Sequence, residues 1–201
     1  PKNVPIDEFH PTNPENYYGY TKLVIENNLK WFSRLSGIRY AALRYFNAAG
    51  YDIKKRISGL EVNPQNLIPK VMETAMGIRS TLNIYGNDYN TKDGTGVRDY
   101  IHVNDLADAH IETIGYLHKN QKDLIINLGT GIGYSVLEII NTVSHISKKK
   151  IKYKIRERRN GDPDIMIAKA ELAKKMINWQ AKYSDIDTII NSTLEVYNFK
   201  S

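Results

Sequence analysis

Tyr18 and Lys22 are the residues of this chain best suited to do chemistry, and they stand four positions apart in the run YYGYTK. On a helix, positions i and i+4 share one face, and a cation held beside a phenol favours the phenolate form. An ordinary tyrosine titrates near pH ~10, and making it a base at neutral pH requires about 4 kcal/mol. One cation at ~6 Å in an effective dielectric of ~20 supplies about 3 kcal/mol. Lys22 would therefore provide most of the effect, and a second positive charge would have to complete it.

The pair lies in a segment whose pattern predicts a helix. Apolar residues recur at near-helical spacing over 17–36, and Gly37 follows as a C-terminal stop. A second Tyr-x-x-x-Lys, from Tyr51 to Lys55, falls in a charged stretch that we predict to be a loop. With 14 tyrosines in 201 residues, chance supplies about one such spacing. The alternative for the first pair is thus an exposed helix face that carries the spacing by accident.

Composition limits the classes of function. A chain of 201 residues with 41% hydrophobic residues can form one large or two small domains with a core. The net charge of +6 and the pI of 9.3 favour an anionic partner, such as nucleic acid, a membrane surface or a phosphorylated small molecule. The absence of cysteine excludes disulfides, thiol nucleophiles and cysteine-ligated metals. No apolar run approaches ~18 residues, so we predict no membrane-spanning helix.

The order of the predicted elements indicates an α/β fold, because short apolar, β-rich runs alternate with helical segments. We predict strands over 38–46, 82–85, 100–103, 124–128 and 151–155. Further helices are predicted over 67–77, 104–118, 135–147, 169–176 and 185–197, with Asn104 and Ser135 as N-caps. The small residues of 47–50 and the glycines of 86–96 and 129–133 predict turns.

Two arginine-containing segments are candidates for binding an anion. In the run RRNGDP, Arg158 and Arg159 precede a Gly-Asp turn. Their guanidinium groups could clamp a diphosphate, and Asp162 could accept a hydrogen bond from a sugar hydroxyl. The tight turn at 93–96 leads into a strand that would deliver Arg98 beside Arg159. The alternative for both segments is an exposed charged loop.

Two further patterns are weaker. The run LGTGIG over 128–133 follows a strand and precedes a helix, which is the place of a phosphate-binding turn. Its third glycine comes one residue early for G-x-G-x-x-G, and lysines rather than a carboxylate follow about twenty residues later, so we interpret it as a structural turn. His102, His110 and His118 are spaced eight apart and do not share a metal by helical spacing. We predict no metal site.

Five separated segments together resemble one family. They are YYGYTK (17–22), RYFNAAG (44–50), NLIP (66–69), DGTGVRDYIHV (93–103) and RRNGDP (158–163). Each occurs widely alone, but in this order they closely resemble the UDP-glucose 4-epimerases of the extended short-chain dehydrogenase/reductase family, from about residue 7 to the C-terminus. The resemblance implies NAD-dependent interconversion of UDP-glucose and UDP-galactose, with hydride removed from and returned to sugar C4.

The resemblance also implies roles for individual residues. Tyr18 would take the proton of the sugar 4-hydroxyl, Lys22 would bond the nicotinamide ribose, and Phe46 would lie beside the cofactor. The implied contacts to the UDP-hexose come from Asn47 and Asn66 near the phosphates and sugar, the backbone of Asn83, Ile84 and Tyr85 at uracil, Arg98 and Arg159 at the diphosphate, and Asp162 at the ribose. Met166 would stand at a gate beside the sugar. A bulky tyrosine there restricts substrates to unmodified hexoses and a small residue admits N-acetylhexosamines, and methionine is intermediate.

The implied fold is the end of a Rossmann-type nucleotide-binding domain plus a smaller α/β substrate-binding domain. Residues 1–50 and 100–131 would belong to the first, and residues 51–99 and 132–201 to the second. The glycine-rich half that binds the adenosine end of NAD is not in this chain, which begins at Pro1. We therefore expect a C-terminal portion that is inactive alone, from an enzyme that is a cytoplasmic homodimer.

Two alternatives stay open at this point. A related nucleotide-sugar enzyme, such as a dehydratase or decarboxylase, would use the same fold with additional acids or bases. A noncatalytic module that binds UDP-sugars would keep the cleft without the cofactor half. The sequence contains no basic-aromatic motif of a nucleic-acid reader, so neither nucleic acid nor a membrane is an expected partner.

Overall fold

The structure, a computed structural model, describes residues 1–198. These residues form six helices and eight strands. The helices are α1 (Tyr17–Ser36), α2 (Leu67–Ala75), α3 (Val103–Asn120), α4 (Val136–Ser147), α5 (Glu171–Ile177) and α6 (Ile186–Asn198). The strands are β1 (Ala41–Tyr45), β2 (Asn47–Ala49), β3 (Leu82–Tyr85), β4 (Val97–His102), β5 (Leu124–Leu128), β6 (Gly133–Ser135), β7 (Tyr153–Arg156) and β8 (Ile165–Met166). None of the helices in this described part of the chain is long and apolar enough to cross a membrane.

The strands form small sheets in which parallel pairing dominates. β1 pairs in parallel with β5, from Ala41 opposite Leu124 to Tyr45 opposite Leu128. β4 pairs with β2 through its second half and with β6 and β8 through its first half, and only β6 runs antiparallel to it. β3 pairs in parallel with β7. Parallel strands connected through helices confirm the predicted α/β fold class.

Two apolar cores hold these elements together. The first lies among α2, α4, α6 and β3, and its Val71, Ile139 and Ile189 are wholly buried. The second packs α3 and α5 against β4 and β5, around the wholly buried Ile101 and Ile126. Each such side chain contributes about 1.5–3 kcal/mol of burial free energy. The cleft described below is therefore built on elements that packing fixes in place.

Helix α1 is held differently from the other helices. Among its residues, all of which are described, only Ser33 is buried. The Asn16 side chain caps its start by accepting a hydrogen bond from the Gly19 N–H at 2.8 Å, and Gly37 ends it with a left-handed φ of 68° that glycine adopts without strain. The predicted bounds of 17–36 are confirmed. Four large apolar side chains of the helix are more than half exposed: Ile25, Trp31, Phe32 and Leu35.

The structure corrects two predicted strands. The strand predicted over 38–46 begins only at Ala41, and the turn predicted over 47–50 is largely the short strand β2. The strand predicted over 100–103 starts earlier, at Val97. Small residues favour a turn by composition. Here β4 lies beside them and satisfies their backbone groups, so they extend instead.

Asn104 was wrongly predicted as the N-cap of α3. The helix begins one residue earlier, and its cap is His102, whose side chain accepts a hydrogen bond from the Asn104 N–H. The Asn104 carboxamide is used elsewhere, since it donates to the Asp52 carboxylate at 3.0 Å. The other predicted cap is confirmed, because the Ser135 side chain caps α4 within a capping box.

Candidate active site

Two adjoining cavities lie where β3, β4 and the segment after β7 meet. The first cavity has a volume of about 250 Å³ and the second about 300 Å³. Asn47, Arg98 and Asp162 line both cavities, so the two lie side by side. We refer to the two together as the Arg98 cleft. Its total volume suits a small organic ligand rather than a macromolecule.

Ten of the residues selected from the sequence line the Arg98 cleft. The first cavity is lined by Asn47, Asn66, Asn83, Ile84, Tyr85, Arg98, Arg159 and Asp162, and the second adds Phe46 and Met166. They come from β2, β3, β4, β8, the position between β1 and β2, and the segments before α2 and after β7, several of which are far apart in the chain. The remaining two, Tyr18 and Lys22, do not line either cavity.

Strand β3 presents alternate residues to the cleft. Asn83 and Tyr85 face outward, whereas Ile84 is 2% exposed and packs in the first core. Because side chains alternate along a strand, Ile84 can meet a ligand only through its backbone. Arg156 of the neighbouring β7 donates from Nε to Asn83 Oδ1 at 3.1 Å and holds that carboxamide at the cleft wall.

Arg98 enters the cleft with an acidic partner in place. Its Nη2 donates to Asp162 Oδ1 at 2.9 Å, and its Nη1 donates to the Val97 carbonyl at 2.9 Å. The Arg98 side chain is only 17% exposed, so this ion pair is less screened by solvent than a surface pair. Gly96 leaves room for the arrangement, because a β-carbon there would lie 3.2 Å from Arg98 Nη1. The alternative of an exposed loop is therefore wrong for Arg98.

Arg158 and Arg159 each stack on a tyrosine ring. The guanidinium carbon of Arg159 is 3.9 Å from the Tyr85 ring centroid, and that of Arg158 is 3.9 Å from the Tyr89 ring centroid. Such stacking contributes about 0.5–1 kcal/mol at exposed sites, and it leaves the guanidinium edges open to an anion. Arg158 also forms an ion pair with Asp164. Arg159 forms no ion pair with any other residue of 1–198, so its charge is available.

Tyr89 and Lys70 also line the first cavity and were not selected from the sequence. Tyr89 is 5% exposed, and its hydroxyl lies 3.5 Å from the Asp162 carboxylate. Burial raises the pKa of the Tyr89 phenol, so it remains a proton donor. A β-carbon at Gly86 would lie 2.5 Å from the Tyr89 ring, which only glycine avoids. The sequence could have indicated Lys70, because it follows Asn66 by one helical turn. It could not indicate Tyr89, because the contact of Tyr89 with Asp162 joins segments that are far apart in the chain.

The Tyr18 and Lys22 side chains lie on the same side of α1. The Lys22 ammonium nitrogen is 5.1 Å from the centroid of the Tyr18 ring, as the spacing predicts. Tyr18 is nevertheless 71% exposed. The pair is thus assembled within the helix but is not enclosed by the surrounding residues.

The Asp99 carboxylate is bound by the backbone of the glycine turn over 129–133. Asp99 is wholly buried, and its oxygens accept hydrogen bonds from the N–H groups of Thr130, Gly131 and Ala168 at 3.0–3.1 Å. Burial raises the pKa of Asp99, and these hydrogen bonds oppose that effect. Because the carboxylate takes the donors that a phosphate would need, the turn is structural, as interpreted from its sequence.

His102 is likewise a structural residue. It is wholly buried, and its Nδ1 accepts from the Asn104 N–H at 3.1 Å, so Nε2 carries the proton and donates to the Ser192 hydroxyl at 3.1 Å. Burial lowers the pKa of His102. With both ring nitrogens engaged, the side chain is neither a free base nor a ligand. Throughout residues 1–198, no group of three or more His, Asp or Glu side chains is placed to hold a metal ion.

These features define an α/β protein with an arginine-lined cleft and a Tyr–Lys pair on a solvent-facing helix. The chain belongs to the GDP-mannose 4,6 dehydratase family, whose family model matches residues 1–193.

Individual relatives narrow the comparison. The chain is 41% identical over 193 residues to the UDP-glucose 4-epimerase of Streptococcus mutans, covering 96% of this chain and 58% of that enzyme. The UDP-glucose-4-epimerase structure from Stenotrophomonas maltophila, with bound NAD and formylated UDP-arabinopyranose, matches with a TM-score of 0.93 at 35% identity, over 100% of this chain and 60% of that one. The structure from Brucella ovis in complex with NAD matches with a TM-score of 0.92 at 41% identity, over 96% of this chain and 59% of that one. The resemblance to UDP-glucose 4-epimerases is confirmed, and the chain spans under two thirds of the length of these relatives.

Proposed function

We propose that this chain carries the UDP-sugar cleft and the acid/base pair of an NAD-dependent UDP-glucose 4-epimerase, which interconverts UDP-glucose and UDP-galactose. The proposal rests on the Arg98 cleft, where residues from separate motifs line two adjoining cavities. The similarity to epimerases supports the same activity. A net charge of +6 also suits a substrate with a diphosphate.

Binding of the diphosphate depends on exchange at Arg98. In the structure its guanidinium is paired with Asp162, so a phosphate oxygen has to replace that carboxylate. The exchange frees Asp162 to accept hydrogen bonds from the ribose hydroxyls. Arg159, which forms no ion pair in the described chain and rests on Tyr85, supplies the second positive charge.

The rest of the substrate is bound along the walls of the cleft. The backbone of Asn83, Ile84 and Tyr85 meets uracil, since these residues form the wall on β3. Asn47 and Asn66 contribute carboxamides near the phosphates and the sugar. Phe46 and Met166 border the second cavity, where the hexose would lie.

The acid/base step belongs to Tyr18 and Lys22. Tyr18 takes the proton of the sugar 4-hydroxyl and later returns it, and the Lys22 ammonium nitrogen lies 5.1 Å from the centroid of its ring. NAD, when bound, would supply the hydride acceptor and donor for sugar C4. Lys22 would hold the nicotinamide ribose, and Phe46 would border the cofactor from the end of β1.

The described residues fit one end of that cofactor. Tyr18, Lys22 and Phe46 offer a hydroxyl, an ammonium and an aromatic face, which suit a nicotinamide ribose. The glycine turn over 129–133 does not fit the pyrophosphate, because the Asp99 carboxylate occupies its N–H groups. This turn is therefore not the pyrophosphate site of the cofactor.

Calorimetric titration of the chain with UDP and with NAD tests the proposal. We expect UDP to bind, and Tyr18→Phe to leave UDP affinity unchanged within about twofold, because Tyr18 lies outside the cleft. In a complete enzyme the same substitution is expected to abolish turnover. Failure of UDP to bind, or turnover retained by the Tyr18→Phe enzyme, would contradict the proposal.

A noncatalytic UDP-sugar binding module is the second candidate function. The separation of the two sites favours it, because neither Tyr18 nor Lys22 lines the Arg98 cleft. If this chain and every longer form of the protein bind UDP but not NAD, the result would support the module. A related dehydratase or decarboxylase is distinguished by its product, since NMR of the sugar would show a 4-keto or shortened sugar rather than the 4-epimer.

We further propose the expected assembly, location and domain division. The exposed apolar side chains of α1, such as Trp31 and Leu35, support a homodimer formed through this helix, in an enzyme of the cytoplasm. Pairing of β1 with β5 supports grouping residues 1–50 with 100–131. Helix α5, which the proposed division places in 132–201, packs with this group in the second core. Analytical ultracentrifugation tests the dimer, and a monomer at micromolar concentrations would contradict it.

A further inference from the structure

Polar contacts join the helix that carries Tyr18 and Lys22 to other segments of the described chain. Of its twenty residues only Ser33 is fully buried, and Leu23, Val24 and Leu29 are partly buried. Two polar anchors connect the helix to distant segments. Near its C-terminus, the Ser33 hydroxyl donates to Asp123 Oδ2 at 2.5 Å. Midway along it, Glu26 pairs with Arg44 of β1.

The Glu26–Arg44 pair has the geometry of a rigid clamp. Arg44 donates from Nε to Glu26 Oε1 at 2.7 Å and from Nη2 to Glu26 Oε2 at 2.6 Å, which is a bidentate contact. The third guanidinium nitrogen donates to the Glu8 carbonyl at 3.2 Å. The two side chains are 24% and 14% exposed, so solvent competes weakly for them. Two parallel bonds fix an angle as well as a distance, which one bond does not.

The clamp joins the acid/base helix to the wall of the cleft. Glu26 follows Lys22 by one helical turn, and Lys22 follows Tyr18 by one turn, so all three lie along one side of α1. At the other end, Arg44 lines the second cavity together with Phe46 and Met166. The ion pair is therefore a direct mechanical link between the turn that carries Lys22 and the cavity that would hold the hexose.

Small rotations of this helix have large consequences at the tyrosine hydroxyl. That oxygen lies about 8 Å from the axis of its helix, so a rotation of about 20° moves it by about 3 Å. An error of about 1 Å in the position of a reacting group can cost about 100-fold in rate. We propose that Glu26 and Arg44 are positioning residues that set the rotation of α1 and thereby the reach of Tyr18 toward the second cavity. The functional part of this inference rests on the proposed function.

The test measures the position of Tyr18 without a ligand. The chain lacks cysteine, so Met166→Cys introduces one attachment point for a nitroxide label at the second cavity. The label broadens the NMR signal of the ¹³C-labelled Tyr18 ring according to their separation. For Glu26→Gln and Arg44→Gln, a displacement of about 3 Å should change this broadening relative to the chain that carries only the label. The charge-reversed pair Glu26→Arg with Arg44→Glu should restore part of it.

Arg79→Gln is the matched control, because it removes a partly buried arginine–glutamate pair that does not involve α1. Neither Arg79 nor its partner Glu73 lines the Arg98 cleft, so the Tyr18 signal should not change. Near-UV circular dichroism checks that every variant is folded. Unchanged broadening in both Glu26→Gln and Arg44→Gln, or an equal change in Arg79→Gln, would overturn the positioning role.

UDP titration of the unlabelled variants separates this inference from the proposed function. Glu26→Gln should leave UDP affinity unchanged within about twofold, because the first cavity does not contain Glu26. If Tyr18 moves as expected but no form of the chain binds UDP, the proposed function fails and the clamp stands. If every form binds UDP and Tyr18 does not move, the clamp fails and the proposed function stands.

Discussion

The Arg98 cleft and helix α1 carry the two halves of the proposed chemistry, yet they are built on different physical principles. The cleft lies on β3 and β4, whose inward side chains, such as Ile84 and Ile101, are buried in apolar cores. Within the described chain, helix α1 fully buries only Ser33 and is joined to other segments by the Ser33–Asp123 and Glu26–Arg44 contacts. In this chain the binding surface is therefore preformed by packing, whereas the helix of the acid/base pair has mainly polar contacts.

Substitutions in the two regions should therefore have different effects on stability and on ligand affinity. Changes in the cores should cost global stability, and changes of charge in the cleft should cost ligand affinity. Comparable changes on the exposed face of α1 should do neither. Pairs of matched substitutions, one in each region, can therefore test whether the two regions differ in this way.

The largest expected effect is on stability and follows Ile139→Ala. Ile139 in α4 is wholly buried, and truncating a buried isoleucine leaves a cavity that costs about 2–5 kcal/mol. Lys30→Ala on α1 is the control, because Lys30 is exposed and such a surface change stays within about 0.5 kcal/mol. Urea unfolding measures both. Equal losses would show that α1 packs as tightly as the core helices.

The next effect is on affinity and follows Arg98→Ala. The substitution removes a half-buried positive charge and leaves the Asp162 carboxylate facing the diphosphate, so UDP affinity should fall about 100-fold, or about 2.7 kcal/mol. Arg34→Ala on α1, where Arg34 stacks over Trp31, removes the same charge away from the cleft. Calorimetry should find UDP binding nearly unchanged in that control. A similar loss in both would reduce the role of Arg98 to its contribution to net charge.

A smaller effect concerns pH and His102. Burial lowers the pKa of His102, so the folded protein binds this proton less tightly than the unfolded chain does. Stability is therefore complete above the ordinary histidine pKa of about 6.5 and falls as the pH drops below it. Urea unfolding at each pH from 7 to 5 should therefore show a progressive loss of stability. His102→Asn should flatten this decline, and the exposed His118→Gln should not.

The sequence predicted the parts of the fold that local patterns control. The span of α1 and the Ser135 cap were predictable because spacing, caps and end signals lie within a few residues. The segment over 47–49 was predicted wrongly because its pairing with β4 depends on a strand some fifty residues away. Asn104 was predicted as a cap because residue type favours it, and the tertiary burial of His102 decided otherwise.

The site shows the same division. Ordered motifs identified Arg98, Asp162 and Tyr85, and the structure brings them to one opening. No local pattern predicted that Arg98 would be paired with Asp162, or that Tyr89 would lie beside them, because these contacts join segments more than sixty residues apart. The arrangement that sets the strength of binding is thus tertiary, even where the residue types are visible in the sequence.

The smallest expected effect tests whether aromatic support belongs to the cleft. Arg159 lies 3.9 Å above the Tyr85 ring centroid. Tyr85→Leu keeps an apolar side chain but removes the ring quadrupole, and the lost stacking of about 0.5–1 kcal/mol should weaken UDP binding about two- to fivefold. Titration with UDP measures the change, and raised salt should narrow it as ions screen the arginine.

Tyr153→Leu is the control for this last change. Tyr153 lies on β7 beside β3 and is 44% exposed, close to the 39% of Tyr85, but it does not line the Arg98 cleft. Its replacement should leave UDP affinity unchanged. If the two variants weaken UDP binding equally, the stacking under Arg159 adds nothing specific, and the cleft depends on packing of the β3–β7 sheet alone. If only Tyr85→Leu weakens UDP binding, the stacking on Tyr85 orients Arg159 in the cleft. The cleft would then depend, like α1, on individually weak contacts of its charged groups.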